Sequence, residues 1–214
     1  MPDVVSSNAP DETGHASHAA CACQTRRSLL AAALAAGTCL AARRSAAAQE
    51  DQAGSDERPQ TGDLLVISEG AQAGQLIKPS DLELGGPPLH AWPKDAKTSV
   101  VRNGSRLNEI LIVKLDPAEL DDDTRARFPS GIVAYSAICT HAGCPVTAWV
   151  TGEGTDRNVL KCMCHNSEYD PRAGARVVFG PAPRRLAALP LAISGDSLAV
   201  AAPFAGKVGA QPSG

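Results

Sequence analysis

Two short segments hold nearly all of the Cys and His that this chain carries beyond residue 48: CTHAGC at residues 139–144 (box 1) and CMCH at residues 162–165 (box 2). The chain has seven Cys and five His in 214 residues, yet beyond residue 48 only four Cys and three His remain, and the boxes contain all of these except one His. Thiolates and imidazoles together suit zinc or iron–sulfur centres, whereas hard cations prefer carboxylates. The fold must therefore bring two loops together around a metal centre.

The spacing inside the boxes indicates which kind of centre this is. Cys139 and His141 have one residue between them and Cys162 and His165 have two, so each loop gives one Cys and one His. Structural zinc sites usually repeat a Cys-x₂₋₄-Cys or His-x₃₋₅-His pair within one loop. A zinc-stabilised binding module without redox function is therefore the less favoured interpretation.

The composition limits the core and the partners. Hydrophobic residues make up 43% of the chain but aromatic residues only 3%, so the core is expected to consist of Val, Leu, Ile and Ala. The net charge is −3 and the isoelectric point about 5.9. A chain without a basic patch cannot neutralise phosphates, so nucleic acid is not expected as a partner.

Short runs rich in Val and Ile, separated by Gly, Pro, Asp and Asn, predict an all-β sandwich or barrel. The candidate strands are residues 63–68, 99–101, 109–115, 131–136, 146–150, 158–161, 176–179, 186–193 and 197–202. One helix is predicted over residues 117–128, with Pro117 near its start. A hairpin turn is predicted at residues 153–158, where it would bring the two boxes close together.

The N-terminal residues have the parts of an export signal. Arg26 and Arg27 precede an apolar run at residues 29–42, and small residues at 46–48 suit an A-x-A cleavage site. Paired arginines followed by Leu resemble the twin-arginine type of signal, a route for proteins already folded around a cofactor. The apolar run has 14 residues, whereas a membrane span needs roughly 20. Cleavage is therefore favoured, and retention as a membrane anchor is the alternative.

The boxes resemble those of Rieske iron–sulfur proteins, C-T-H-x-G-C and C-P-C-H-G-S, of the disulfide-containing kind, and the resemblance covers about residues 95–206. It implies one [2Fe–2S] cluster per chain, with one iron bound by two Cys and the other by two His. The ligands that it implies are Cys139, Cys162, His141 and His165. Cys144 and Cys164 correspond to the family's disulfide, which would stabilise the fold by roughly 3 kcal/mol.

Residues after box 2 also match that family. Ser167 and Tyr169 correspond to the hydroxyls that, in high-potential members, donate to a bridging sulfide and to a Cys sulfur. Gly180, Pro181 and Pro183, in the sequence GPAP, match the proline-rich loop that covers the cluster. Because hydrogen bonds to the sulfurs favour the reduced state, the resemblance implies a potential in the upper part of the range of about −150 to +300 mV.

The resemblance implies an antiparallel β sandwich with a small cluster-binding subdomain, about residues 135–184, inserted in it. The predicted organisation is a twin-arginine signal, a linker, a Rieske domain and a tail, at residues 1–48, 49–61, 62–206 and 207–214. The expected location is the periplasmic side of the bacterial cytoplasmic membrane.

The function implied is one-electron transfer from a quinol to a cytochrome c-type acceptor, beside a cytochrome b-type subunit and without catalysis by this chain alone. His141 and His165 are the candidates for accepting the quinol's proton. The alternative is the small subunit of an exported molybdenum oxidoreductase of the arsenite oxidase type, with a molybdopterin subunit as partner. Cytosolic Rieske ferredoxins and oxygenases are disfavoured by the export signal and by the two additional Cys.

Three residues depart from the family's pattern. Ala142 replaces the usual Leu, Met163 the usual Pro and Asn166 the usual Gly, and the spacer between the boxes is longer than is typical. These changes alter the surface around the imidazoles, where a redox partner would dock. They leave the cofactor prediction unchanged but weaken the prediction of the partner.

Overall fold

The computed structural model describes residues 52–128 and 130–210, so the predicted export signal at residues 1–48 lies outside it. Within these ranges the chain forms two antiparallel β-sheets and little helix, which confirms the predicted all-β class. The strands are β1 (Leu64–Ile67), β2 (Leu89–Lys94), β3 (Ile110–Lys114), β4 (Ile132–Ser136), β5 (Ala148–Thr151), β6 (Asn158–Cys162), β7 (Ser167–Asp170), β8 (Arg176–Phe179), β9 (Leu191–Ser194) and β10 (Ser197–Val200).

The larger sheet has six strands in the order β4-β3-β2-β1-β10-β9. Strand β3 is buried on both faces, because its side chains alternate between two apolar clusters. Leu111 and Val113 enter the cluster that contains the two buried Cys of the boxes. Ile110 and Ile112 enter the other cluster, together with residues of β1 and β10. The larger sheet is thus covered on both sides, and one of its faces supports the candidate site.

The smaller sheet has four strands in the order β5-β6-β7-β8, all from residues 148–179. This segment lies between β4 and β9 in the chain, within the predicted range 135–184, although the domain boundaries themselves stay a prediction. Strands β5 and β6 pair directly, with Thr151 opposite Asn158, which confirms the predicted hairpin. Box 1 connects β4 to β5, and box 2 connects β6 to β7.

The strand predictions differ from the structure at residues 99–101, at β2 and at β7, which no candidate strand covers. The strand predicted at residues 99–101 is wrong: Asp95 Oδ1 accepts from the main-chain N–H groups of Lys97 at 2.7 Å and Thr98 at 2.9 Å, and these bonds form a turn. Strand β2 is absent from the predictions because its sequence LHAWPK contains Pro93 and follows two further prolines. Proline cannot donate to a β-ladder and so argues against a strand.

The predicted helix at residues 117–128 is divided into two parts. A 3₁₀ turn covers Pro117–Glu119 and α1 covers Asp122–Arg127. Each part has its own cap: Asp116 Oδ1 accepts from Ala118 N at 2.9 Å, and Asp121 Oδ1 accepts from Thr124 N at 2.8 Å. Within the described part of the chain, no helix is long and apolar enough to cross a membrane.

The polar segment at residues 52–61, predicted as part of a linker, is held against the domain by Arg102. The Arg102 side chain is only 3% exposed, and its guanidinium lies 2.7 Å from a carboxylate oxygen of Asp63, 2.7 Å from Glu57 and 3.2 Å from Asp95. The hydrogen bonds to Asp63 raise the pKa of Arg102. One buried cation thus joins the segment before β1 to the turn after β2.

Candidate metal centre

Box 1 is a tight loop closed by its own main chain. Cys139 N donates to Cys144 O at 2.8 Å, and Gly143 N donates to Cys139 O at 3.1 Å. Gly143 has a φ of 72°, in the left-handed region that glycine adopts without steric cost. The bridge between Ile138 and Pro145 extends this closure. The loop therefore holds the Cys139 side chain in the interior, where it is only 1% exposed.

Box 2 is the turn of the β6–β7 hairpin. Cys162, the last residue of β6, is paired with Ser167, the first residue of β7. Asn166 has a φ of 59°, and Asn is among the non-glycine residues that tolerate this region best. That conformation explains why Asn can stand where the family usually has Gly. Cys162 is buried, while Met163 is 58% exposed.

The four predicted ligands lie in two pairs, one of His and one of Cys. The rings of His141 and His165 have centroids 4.6 Å apart and planes at 84°. Cys139 and Cys162 belong to one buried apolar cluster. His141 Nδ1 is buried and has no hydrogen-bond partner among the described residues. Such a nitrogen is costly unless a ligand satisfies it, and imidazole nitrogens bind metals. The residues therefore fit a centre ligated by two Cys and two His.

The two additional thiols lie beside this group. The sulfur atoms of Cys144, Cys162 and Cys164 lie within 4.8 Å of one another, and every Cys in the described ranges is a free thiol. The hydrogen bond with Cys164 raises the pKa of Cys144. Burial raises the pKa of Cys162 to about 12, so that thiol ionises near neutral pH only when a metal replaces its proton. The Cys144–Cys164 disulfide stays a prediction.

Tyr169 is placed to donate a hydrogen bond to a ligand sulfur. Its side chain is fully buried, and its Oη lies 3.1 Å from Cys139 Sγ. Thr140 N donates to the same Oη at 3.2 Å, while Thr140 Oγ1 donates to Arg184 O at 2.6 Å. Since the Thr140 hydroxyl proton is used elsewhere, the Tyr169 proton can be directed at the sulfur. Burial raises the pKa of Tyr169, which keeps it protonated.

The GPAP loop at residues 180–183 packs on the start of β7. Ser167 Oγ accepts from Ala182 N at 3.2 Å, which leaves the hydroxyl proton free to donate. Gly180 has a φ of 89°. A Cβ at Gly180 would lie 2.6 Å from Ser167 Cα and 2.7 Å from Asn166 O. Pro181 and Pro183 are exposed, so the loop presents its prolines to solvent and its main chain to the start of β7.

Substitution of Gly180 by Ala is expected to displace the loop from the start of β7. The methyl group would meet main-chain atoms, which cannot rotate away, and the left-handed conformation adds its own cost, together about 2–4 kcal/mol. Gly154→Ala is the matched control, because Gly154 also has a positive φ but nothing within 4 Å of its Cβ position. Thermal unfolding and iron content should fall in Gly180→Ala alone. Equal losses in both variants would contradict this packing role.

Three residues of the site are missing from the sequence prediction: Thr140, Ala182 and Arg184. Thr140 lies between two predicted ligands, and that position could have singled it out. Ala182 acts through its N–H group and Arg184 through its carbonyl oxygen. Side-chain chemistry gives no signal for such contacts.

Comparison with known proteins adds to this geometry. The family described as the Rieske [2Fe-2S] domain matches residues 88–190. The cytochrome bc1 complex Rieske iron-sulfur subunit of Streptomyces lividans is 33% identical over 138 residues, which are 63% of this chain and 76% of that protein. The protein of the same name in Streptomyces coelicolor is also 33% identical, but the chain covers only 37% of it. A Rieske protein of Haloferax mediterranei, named as a respiratory nitrate reductase subunit, is 41% identical over 81 residues, 37% of this chain and 34% of that protein.

An antiparallel β domain in which two loops each present one Cys and one His is that of an iron–sulfur electron-transfer protein. Two findings identify the family of this protein. The Rieske domain matches residues 88–190, and the chain covers 76% of the S. lividans relative at 33% identity. The chain belongs to the Rieske [2Fe–2S] protein family. It transfers electrons through a [2Fe–2S] cluster, and the predicted cofactor is confirmed.

Proposed function

We propose that this chain takes single electrons from a quinol and passes them to a cytochrome c-type acceptor, as the electron-transfer subunit of a quinol–cytochrome c reductase. One observation carries the proposal: the ring centroids of His141 and His165 lie 4.6 Å apart, while Cys139 and Cys162 are buried in one apolar cluster. Cytochrome bc1 subunits among the relatives support it. A cytochrome b-type subunit is the partner that this function requires.

The four ligands have different tasks in this proposal. Cys139 and Cys162 hold one iron in the interior, where their burial excludes water. His141 and His165 hold the other iron, and the cluster supplies the site at which one electron is stored. The buried and unpartnered Nδ1 of His141 is the ligand nitrogen, so its Nε2 is the atom that holds or releases a proton. His165 is exposed, which gives its ring access to a proton donor.

The remaining parts of the proposal concern assembly. We propose that Cys144 and Cys164 form a disulfide after export, which their neighbouring thiols support. Arg26 and Arg27, with the apolar run after them, support export by the twin-arginine route to the periplasmic side of the membrane. Cleavage near residue 48 and retention as an anchor predict mature chains of different mass, so mass spectrometry of the native protein separates them.

Two measurements test the proposed function. EPR of the reduced protein should give a Rieske-type signal, whereas zinc would give none. Affinity purification of the native chain from membranes should recover haem b with it. The second candidate is a molybdenum oxidoreductase subunit, which the relative named for nitrate reductase favours. Recovery of molybdenum in place of haem b would support that candidate and refute the first.

Tyr169 is expected to raise the reduction potential. In protein-film voltammetry we expect the wild-type potential in the upper part of the range of about −150 to +300 mV. Tyr169→Phe should lower it by about 60 mV, because the bond to the Cys139 sulfur strengthens by roughly 1.4 kcal/mol when the cluster is reduced. Tyr135→Phe is the control, since this second buried tyrosine donates to Pro171 O at 2.7 Å and to no sulfur. Equal shifts in both variants would refute the assignment.

A further inference from the structure

The last described residues of the chain lie against the candidate centre. A Cβ at Gly209 would be 3.2 Å from Ile138 Cγ2 and 3.4 Å from Leu107 Cδ2. A Cβ at Gly143, inside box 1, would lie 3.9 Å from Ala210 Cβ. The segment of residues 207–210, here called the C-terminal segment, therefore packs beside box 1 although it contains none of the ligands.

Arg184 fastens the C-terminal segment. Its Nη2 donates to Gly209 O, and Lys207 O lies 3.5 Å from the same nitrogen. In the described ranges no carboxylate lies within ion-pair distance of this guanidinium, and Arg184 Nε is buried without a partner. Placing an arginine here costs free energy, because a buried polar atom is left unpaired. The Arg184 guanidinium thus binds the main-chain carbonyls of Lys207 and Gly209.

The same residue also contacts the cluster loops through its main chain. Arg184 O accepts from Thr140 Oγ1 at 2.6 Å. Thr140 N donates to Tyr169 Oη at 3.2 Å, and that oxygen lies 3.1 Å from Cys139 Sγ. A continuous series of hydrogen bonds therefore runs from the C-terminal segment to a ligand sulfur. Because hydrogen-bond strength depends steeply on distance and angle, a displacement at Arg184 changes the bond at Cys139.

We propose that Arg184 is a positioning residue for the hydrogen bond from Tyr169 to Cys139, and that the C-terminal segment sets the reduction potential of the cluster through it. This inference rests on the proposed ligand set, because it concerns a bond to one of the ligands. The guanidinium holds the Arg184 backbone where its carbonyl can fix Thr140. Thr140 in turn fixes the Tyr169 hydroxyl at the sulfur.

A rival explanation is that Arg184 acts by its positive charge alone. Arg185 provides the matched control, because it is the next residue in the chain and carries the same charge. Its guanidinium contacts Gly174, where an added Cβ would lie 2.7 Å from Arg185 Nη1, and it makes no contact with the C-terminal segment in the described structure. Arg185→Ala therefore removes a neighbouring charge without breaking the series of hydrogen bonds.

The test measures the potential of the purified full-length holoprotein by protein-film voltammetry, with EPR line shape as a second readout. Arg184→Ala should weaken the affinity of the cluster for the electron roughly three- to tenfold. At 59 mV per decade, this lowers the reduction potential by about 30–60 mV. It should also broaden the EPR signal, because the sulfur environment becomes heterogeneous. Arg185→Ala should change neither. In the Tyr169→Phe background, Arg184→Ala should produce no further drop, because the bond that it positions is already absent.

Each outcome has a defined meaning. A full Arg184→Ala drop in the Tyr169→Phe background, or an equal drop in Arg185→Ala, overturns the positioning role. If Arg184→Ala retains no cluster, Arg184→Lys replaces it in the same double-variant test, since lysine keeps the charge and loses the planar fork. An Arg184→Lys potential that falls equally in both backgrounds also overturns the role. A wild-type protein without a Rieske signal would instead refute the proposed ligand set.

Discussion

Substitution of Cys139 or Cys162 by Ala should remove the metal from the purified protein, whereas Ala at Cys144 or Cys164 should leave it bound. Wild-type protein is expected to contain about two iron atoms per chain. Cys139 and Cys162 are 1% and 0% exposed and share one buried cluster, while Cys164 is exposed. Iron and acid-labile sulfide analysis, together with EPR, measures the loss. We expect near-complete loss in the first two variants.

The opposite pattern would identify a different metal site. Cys144, Cys162 and Cys164 have sulfur atoms within 4.8 Å of one another. Three thiolates at this spacing could supply most of the ligands of a zinc site. If zinc is bound and its loss follows substitution of Cys144 and Cys164 but not Cys139, the iron–sulfur ligand set is refuted. Cys144→Ala and Cys164→Ala also test the disulfide, because each should release one titratable thiol in the exported protein. Their unfolding temperatures should fall together.

Sequence patterns predict the centre well because its chemistry resides in side chains. The spacing of Cys and His in the two boxes, exemplified by Cys139 and His165, is typical of metal ligands. The hairpin of β5 and β6 joins the two boxes as expected. The contacts that orient the ligands are different, since Arg184 O and Ala182 N are main-chain atoms. Every residue has such atoms, so no residue type indicates which of them is used. Proline likewise obscures β2 in the sequence, because Pro93 lies within this strand.

The departures from the family's pattern are all at the surface. Ala142, Met163 and Asn166 are exposed, whereas both predicted Cys ligands are buried. The cluster limits which residue types can occupy the buried positions, whereas a docking partner limits those at the exposed positions. A change at these three residues is therefore expected to alter recognition of a partner and to leave the centre intact. This division explains why the cofactor is well defined from sequence while the partner depends on experiment.

Arg102→Met is expected to cause a large loss of stability. The side chains of Arg102 and Asp63 are only 3% and 4% exposed and meet at 2.7 Å. Removing one partner leaves the other as an unpaired buried charge, which costs about 3–5 kcal/mol. For a domain of this size that corresponds to roughly 10 °C in Tm. Differential scanning calorimetry measures the shift.

The control for this substitution is Lys78→Met. Lys78 pairs with Asp196, but the two side chains are 47% and 71% exposed, and exposed pairs contribute less than about 1 kcal/mol. Arg102→Met combined with Asp63→Asn should recover part of the loss, because the unpaired carboxylate is then absent. Arg102→Met alone also frees Glu57, because Arg102 pairs with Glu57 at 2.7 Å. Cleavage at Glu57 by a glutamate-specific protease should therefore accelerate in Arg102→Met. Unchanged cleavage with a reduced Tm would show that Arg102 stabilises the turn after β2 but not the segment before β1.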